Sequence, residues 1–282
     1  MGGHYSMRRM QRSELDLVVR WAADEGWNPG LLDADAFFTA DPSGFFVGTL
    51  DGEVIASISV VSYDASYAFL GFYIVRPEVR GRGYGLRLWE YALAQSHART
   101  IGLDGVVAQI PAYERAGFAL AHRNVRCVTE SRGAGPSAPA SRPIEDADLA
   151  AVIEYDGRVF GAPRAAFTGS WLTQAGVHSR VHVDAGSVTG YGAIRPATEG
   201  FRIGPLFADS PTVAEGLLSD LLGAVPPGVE VAIDVPTVND AAVRLVHARR
   251  MRAEFETARM YLGPAPAAPM HDVYGVTSFE LG

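Results

Sequence analysis

Two short stretches of this chain hold the residue types from which chemistry could be built. Arg80-Gly81-Arg82-Gly83-Tyr84-Gly85 joins three glycines to two guanidinium groups. Glycine permits left-handed turns and lets a ligand come close to the backbone, and arginine adds fixed positive charge. At the start of a helix, such a turn gathers free N–H groups and the positive end of the helix dipole, the makings of an anion site for a pyrophosphate. The second stretch, about thirty residues on, is Tyr113-Glu114-Arg115-Ala116-Gly117-Phe118. It carries a phenol, of ordinary pKa near 10, just ahead of a Gly-Phe pair.

The elements that must position these groups can be read on either side of the glycine turn. Phe69-Leu70-Gly71-Phe72-Tyr73-Ile74-Val75 is a β-branched and aromatic run suited to a buried strand. Arg76-Pro77 ends it, because proline offers no N–H to a ladder and restricts the residue before it. Leu86, Leu88, Trp89 and Leu93 then fall on one side of a helix. The spacing G-x-G-x-G differs from the G-x-G-x-x-G of a dinucleotide fold, and no Gly-Lys-Ser/Thr follows as in a P-loop.

Arg80-x-x-Gly83-x-Gly85 after a strand and a proline resembles motif A of the GNAT N-acetyltransferase superfamily, the loop that holds the pyrophosphate of acetyl-CoA. Tyr113-Glu114-x-x-Gly117-Phe118 resembles that family's second signature, in the same order and at the same separation. The resemblance implies that Arg80, Gly81, Arg82, Gly83, Tyr84, Gly85 and Leu86 form the cofactor loop. It implies that Tyr73, Ile74 and Val75 pair through their backbone with the pantetheine arm, and that one of their N–H groups polarises the thioester carbonyl. It makes Tyr113 the general acid that protonates the departing sulfur, with a packing role for a tyrosine at that position as the alternative. The family's usual N-x-x-A-x-x-L-Y run is compressed here to Ala108-Gln109-Ile110-Pro111-Ala112-Tyr113.

A general base is less legible. Histone-type members carry a glutamate on the fourth strand, and the matching position here is Phe69, so that base is absent. Glu25, Asp24, Asp64 or a chain of waters remain as alternatives. The loop from Trp21 to Leu32 falls where the family builds its acceptor site, so Glu25, Trp27 and Asn28 are the candidate acceptor residues; Trp21 and Trp27 could also simply close the core.

The whole chain sets the bounds. Its 282 residues suggest two domains. With 48% hydrophobic residues and a mean hydropathy of +0.07, packed cores are expected. A net charge of −8 argues against nucleic acid as the partner and suits a cationic acceptor such as an amine. Cys127 alone excludes an internal disulfide framework and a cysteine-built zinc site, in keeping with a cytoplasmic protein. No apolar stretch is long enough for a membrane span, so no membrane partner is expected, and Met1-Gly2-Gly3 formally matches a myristoylation start that nothing else supports.

In order, Tyr5 to Met10 predicts a strand, Ser13 caps a helix running to Glu25, and Asp33 caps a short second helix. Two strands then flank Asp51-Gly52, a hairpin signal. After the glycine loop come a helix over 84–97, a fifth strand from Leu103 to Gln109, a short helix with Tyr113, and a sixth strand from Phe118 to Val128. Residues 133–142, rich in Gly, Pro, Ala and Ser, read as a linker. The remainder repeats the first half: Pro143 to Leu149 echoes Arg9 to Leu15, Asp184-Ala185-Gly186 echoes Asp51-Gly52, and Asn239-Asp240-Ala241-Ala242-Val243-Arg244-Leu245 supplies the N-x-x-A-x-x-L run. Its glycine spacing is gone, and Val246 stands where the tyrosine would be.

The fold expected is therefore α/β (α+β), two tandem GNAT-like domains, each a mixed, mostly antiparallel central sheet flanked by helices. Residues 1–132 form the catalytic domain, 133–142 the linker and 143–282 a degenerate copy. The activity implied is acetyl-CoA-dependent acetylation of a primary amine of a small molecule by direct attack. The alternatives are a protein or peptide N-acetyltransferase and a non-catalytic acyl-CoA-binding regulator. A monomer that mimics a dimer is expected, in which the tail Val273 to Leu281 forms a last strand packed across onto the other domain. Asp156, Phe160 and Trp171 are expected to wall the acceptor cleft.

Overall fold

The β-branched runs and their turns assemble, in a computed structural model, into one mixed sheet with thirteen strands among the described residues. The structure describes residues 3–133 and 141–282. The first half runs β1 (Tyr5–Arg9), α1 (Arg12–Asp24), α2 (Asp33–Ala40), β2 (Phe45–Leu50), β3 (Glu53–Ser62), β4 (Tyr67–Val75), α3 (Tyr84–Leu93), β5 (Thr100–Val106), α4 (Ile110–Arg115) and β6 (Ala119–Glu130). The second half repeats it as β7 (Arg142–Pro143), α5 (Leu149–Phe160), α6 (Ala165–Thr173), β8 (His178–Asp184), β9 (Ser187–Pro196), β10 (Phe201–Ala208), α7 (Pro211–Gly223), β11 (Glu230–Pro236), α8 (Asp240–Ala248), β12 (Arg252–Leu262) and β13 (Val273–Gly275).

Local signals account for most of these elements. Asp51 and Gly52 take φ of 51° and 87°, the left-handed pair that a two-residue hairpin requires. Helix α1 starts earlier than Ser13: Gln11 is its cap, and the Gln11 N–H donates to Glu14 Oε2 at 2.8 Å. Asn239 caps α8 by accepting from the N–H groups of Ala241 and Ala242. The predicted linker falls largely on residues 134–140, outside the described residues, and Arg142-Pro143 already pairs with β8.

Strand order is where the two halves become one. The sheet reads β1-β2-β3-β4-β5-β12-β6-β11-β10-β9-β8-β7, a palindrome of corresponding elements. The expected sixth strand is present, but it does not lie beside β5. Instead β6 pairs with β11 of the second half, and β12 crosses back to pair with β5. Buried opposite charges mark this exchange. Asp104 on β5 stands directly opposite Arg259 on β12, and Arg126 on β6 directly opposite Asp234 on β11. Each pair is bidentate, with Arg259 to Asp104 at 2.8 and 2.6 Å and Arg126 to Asp234 at 2.8 and 3.1 Å. A register slip or a return of β6 to β5 would bury these charges unpaired, which is strongly unfavourable.

Helices cover both faces. Helices α1, α2, α5 and α6 share one core across the centre of the molecule, with the Phe37 ring stacked on Trp171 at 5.6 Å. On the opposite face α3 packs over the first half, and α7 and α8 over the second. The tail departs from the expected long strand. Only Val273–Gly275 is strand, and it pairs with β10 of its own half; residues 276–282 are buried and continue towards the first half.

Candidate active site

Strand β4 makes the site by parting from β5. The two pair in parallel only from Tyr67–Thr100 to Leu70–Leu103, and beyond that point the outer edge of β4 has no strand partner among the described residues. Phe72, with φ of 48°, breaks the register with β3 and bends the strand away. A cavity of about 540 Å³ occupies the resulting gap, in the range of small-molecule sites. Tyr73, Ile74, Val75, Arg80 and Leu86 line it on one side, with Tyr113 and Gly105 facing them.

The glycine loop lies at one end. Gly83 is the cap residue of α3 with φ of 81°, and no side chain caps the helix. Gly81 and Gly83 both have positive φ, and a Cβ at either would meet nothing within 4 Å. The first turn of α3 therefore presents unblocked N–H groups to open space, which suits an anion. Arg80 donates to the Val75 carbonyl at 2.8 Å and pairs with Glu25. Arg82 is exposed, and Tyr84 is held by the Tyr5 ring, 4.7 Å between centroids. Gly81, Arg82, Gly83, Tyr84 and Gly85 thus form the rim beside the cavity rather than its lining.

Tyr113 comes from α4, and its ring lies against the backbone of Gly105 and stacks on Trp89 at 5.9 Å. Its hydroxyl makes no hydrogen bond within the described residues. Burial, with a smaller contribution from Tyr73, pushes the phenol up to about 12. It is protonated throughout the physiological range and is free to donate.

The acceptor-side expectations need correction. Trp27 lines the cavity, while its carbonyl accepts from Arg126 at 2.7 Å. Glu25 also lines it, yet its carboxylate is drawn to Arg80 at the loop end. Asn28 does not reach the cavity: its amide donates to the Glu199 carbonyl at 3.0 Å and its Oδ1 accepts from the Glu199 N–H at 2.8 Å, clipping the halves together. Asp24 is not among the lining residues, and Asp64 is spent in its own turn, accepting from the Ser66 and Tyr67 N–H groups. Asp156, Phe160 and Trp171 lie elsewhere. Asp156 is buried in a bidentate pair with Arg164, Phe160 packs under the same guanidinium, and Trp171 donates to the Gly204 carbonyl at 2.9 Å inside the shared core.

Other residues of the second half do reach the site. Phe255 and Thr257 of β12, and Phe279 and Glu280 of the tail, line the cavity opposite the loop. The strand exchange brings the first pair there. Nothing local in the sequence distinguishes them; the nearest signal was the apolar alternation of the tail.

The corresponding slot of the second half is filled. Beyond Ile203, where β10 and β11 stop pairing, β13 adds to β10 through Leu206–Gly275 and Phe207–Val273. Asn239 holds this segment by donating to the His271 and Val273 carbonyls at 3.0 and 2.9 Å. The start of α7 is closed too, since Ser210 accepts from the Val213 N–H and Pro211 follows it. The loss of the glycine loop in the sequence thus coincides with a blocked strand edge and a capped helix.

A strand edge left open by a bulge, a glycine-capped helix start and a half-buried phenol between them define an acyltransferase site of the type that takes an acyl thioester. Family models for GNAT acetyltransferases match twice, the acetyltransferase (GNAT) family over residues 7–118 and an acetyltransferase (GNAT) domain over residues 152–275. Holothin acyltransferase from Pseudoalteromonas sp. (strain SANK 73390) is 35% identical over 269 residues, covering 95% of this chain and 92% of that one. The chain therefore belongs to the GNAT family as a tandem acyltransferase. Among solved structures, an acetyltransferase-like protein from Pyrococcus horikoshii superposes with a TM-score of 0.83 at 21% identity, over 99% of this chain and 96% of that one. A tandem GNAT protein from the clavulanic acid biosynthesis pathway gives 0.63 at 16% identity, over 93% and 100%. Both share the fold.

Proposed function

We propose that this enzyme transfers the acetyl group of acetyl-CoA to a primary amine of a small molecule, in the cavity between β4 and β5. Gly81 to Leu86 and Arg80 would hold the pyrophosphate, with Arg80 exchanging Glu25 for the phosphates, and the open edge of β4 from Tyr73 to Val75 would take the pantetheine arm. Bound there, acetyl-CoA supplies the activated acyl group. Tyr113 gives its proton to the departing sulfur, and its raised pKa keeps that proton in place until the thiolate develops.

The observation that supports the small-molecule reading is the wall that the second half adds to the cavity. Phe255, Phe279 and Glu280 line the cavity together with Trp27, and a volume of about 540 Å³ suits a small molecule. Residues 1–132 would then carry the cofactor and the acid, and 143–282 the acceptor wall, so that one chain acts as a monomer built like a dimer. A cytoplasmic location fits its single cysteine, Cys127, whose buried thiol is pushed up to about 11 chiefly by burial and is inert. The relative named for holothin makes amines of that kind sensible first members of a test panel.

The test is thiol release from acetyl-CoA across small amines, amino acids and short peptides. Turnover on small amines with little on peptides is expected. Turnover confined to peptides would reassign the acceptor, and tight CoA binding without turnover on anything would favour a regulator.

A further inference from the structure

Glu280 is a carboxylate without a partner in a place where partners matter. It is 2% exposed, and neither carboxylate oxygen has a hydrogen bond among the described residues. No cation stands within ion-pairing distance of it among the described residues. Native proteins rarely leave a buried ionisable group in this condition unless a ligand or a reaction uses it.

Its position is determined from both halves. The Glu280 main chain presses on Gly71, where any side chain would collide with the Glu280 carbonyl. Gly71 directly precedes Phe72, the residue that opens β4, so Glu280 stands at the point where the site begins. The tail that carries it is firmly held. Strand β13 is seated in the blocked slot of the second half, and the Val276 N–H donates to the Asp234 carbonyl at 2.9 Å. Arg164 donates to Thr277 Oγ1 at 2.8 Å, and the Tyr63 hydroxyl donates to the Leu281 carbonyl at 2.6 Å. The inactive half is thus an anchor that delivers one carboxylate to the active half.

The guanidinium groups facing Glu280 each bind another carboxylate, with Arg195 Nη1 alone left without a hydrogen bond among the described residues. Arg126 of β6 and Arg202 of β10 both bind Asp234, and Arg195 of β9 holds Asp33 of α2 at 2.7 and 3.0 Å. Burial pushes the Glu280 carboxyl up; Arg202 opposes this, Asp33 adds to it, and Arg126 and Arg195 oppose it. A carboxylate shifted in that direction is a better base near neutrality than an ordinary glutamate.

We propose that Glu280 receives the acceptor amine in the cavity and takes its proton as the amide forms, an inference that rests on the amine-acetylation reading above. The amine nitrogen attacks the thioester carbonyl carbon, the N–C bond forms and the C–S bond breaks. The surplus N–H proton passes to the Glu280 carboxylate, and the Tyr113 proton passes to the sulfur. Amine and thioester become amide and thiol, and solvent returns one proton to Tyr113 and removes one from Glu280. Trp27, Phe255 and Phe279 line the same cavity, so the favoured amines carry an apolar or aromatic body.

The experiment measures kcat and KM against pH for the unaltered enzyme, E280Q and E280D, using an amine that the unaltered enzyme accepts. In the unaltered enzyme, activity rises with pH as Glu280 and the amine lose their protons. E280Q is expected to lose about 10²–10⁴-fold in kcat with acetyl-CoA affinity unchanged by calorimetry, and to keep only the limb that belongs to the amine. E280D should recover part of the rate. An E280Q enzyme within twofold of the unaltered kcat, with the same pH profile, overturns the inference and leaves acetylation standing. So does an E280Q whose lost activity is matched by its lost folded fraction, with kcat per folded molecule and pH profile unchanged, since Glu280 would then be structural. An unaltered enzyme that acetylates no amine overturns the transfer reading and this inference together.

Discussion

Tyr113→Phe is expected to lower kcat by about 10²–10⁴-fold, the loss typical of removing a general acid, while KM for acetyl-CoA stays close to that of the unaltered enzyme. The change removes one oxygen that makes no hydrogen bond within the described residues, so no partner is stranded. The ring keeps its stacking on Trp89 and its seat on Gly105, and folding should be preserved. A phenol pushed up to about 12 does not ionise below that range, so no falling limb from Tyr113 should appear in the ordinary pH profile. Single-turnover rates and a thermal melt check both statements. A variant with near-normal kcat, in a regime where chemistry limits the rate, would return Tyr113 to packing.

The second large effect is on stability. Asp234→Ala should destabilise the chain by about 3–5 kcal/mol, the range found when one partner of a buried ion pair is removed. Asp234 is 2% exposed and accepts from both Arg126 and Arg202, which are 3% and 2% exposed, so the substitution strands two guanidinium groups. Those same arginines donate to the Trp27 and Asn28 carbonyls, so the acceptor loop should loosen as well. Burial alone would raise the Asp234 carboxyl, but Arg126 and Arg202 overcome it and hold it below the ordinary value. A depressed carboxyl contributes stability that is present above its unfolded pKa, near 3.9, and is lost as pH falls through the lower folded value. Urea unfolding at neutral pH measures the effect. A loss under about 1 kcal/mol would fall to the level of an exposed pair and remove the seam from the account of the strand exchange.

How much of this was legible depended on whether the signal was local. The Arg80–Gly85 loop, the Asp51-Gly52 hairpin and the Tyr113 signature each lie within a few residues, and each took the local form expected. The repetition of the second half was legible for the same reason, since the entry to the first helix, the hairpin and the strands recur in order. What failed was assigning strands and side chains to partners. Asp104 meets Arg259 across 155 positions and Arg126 meets Asp234 across 108, and no periodicity reports such pairings. Asn28 and Asp33 looked like loop and cap residues because their neighbours suggested it. Asn28 is in fact tied to Glu199, and the Asp33 carboxylate pairs with Arg195, both from the second half. Phe255 and Glu280 reach the cavity only because β12 and the tail cross between halves. Strand patterning gives a face, not a neighbour.

The central claim is that one half of a symmetric sheet keeps an open acyl-CoA site while the other has closed its own with β13 and a capped helix. Calorimetric titration of the full chain with acetyl-CoA tests it most directly, alongside Gly83→Asp. Aspartate tolerates the left-handed backbone of Gly83 better than most residues, yet places a negative charge where the pyrophosphate would sit. The account predicts one site per chain in the unaltered protein and none in the variant. Two equivalent sites per chain, or binding untouched by Gly83→Asp, would contradict it.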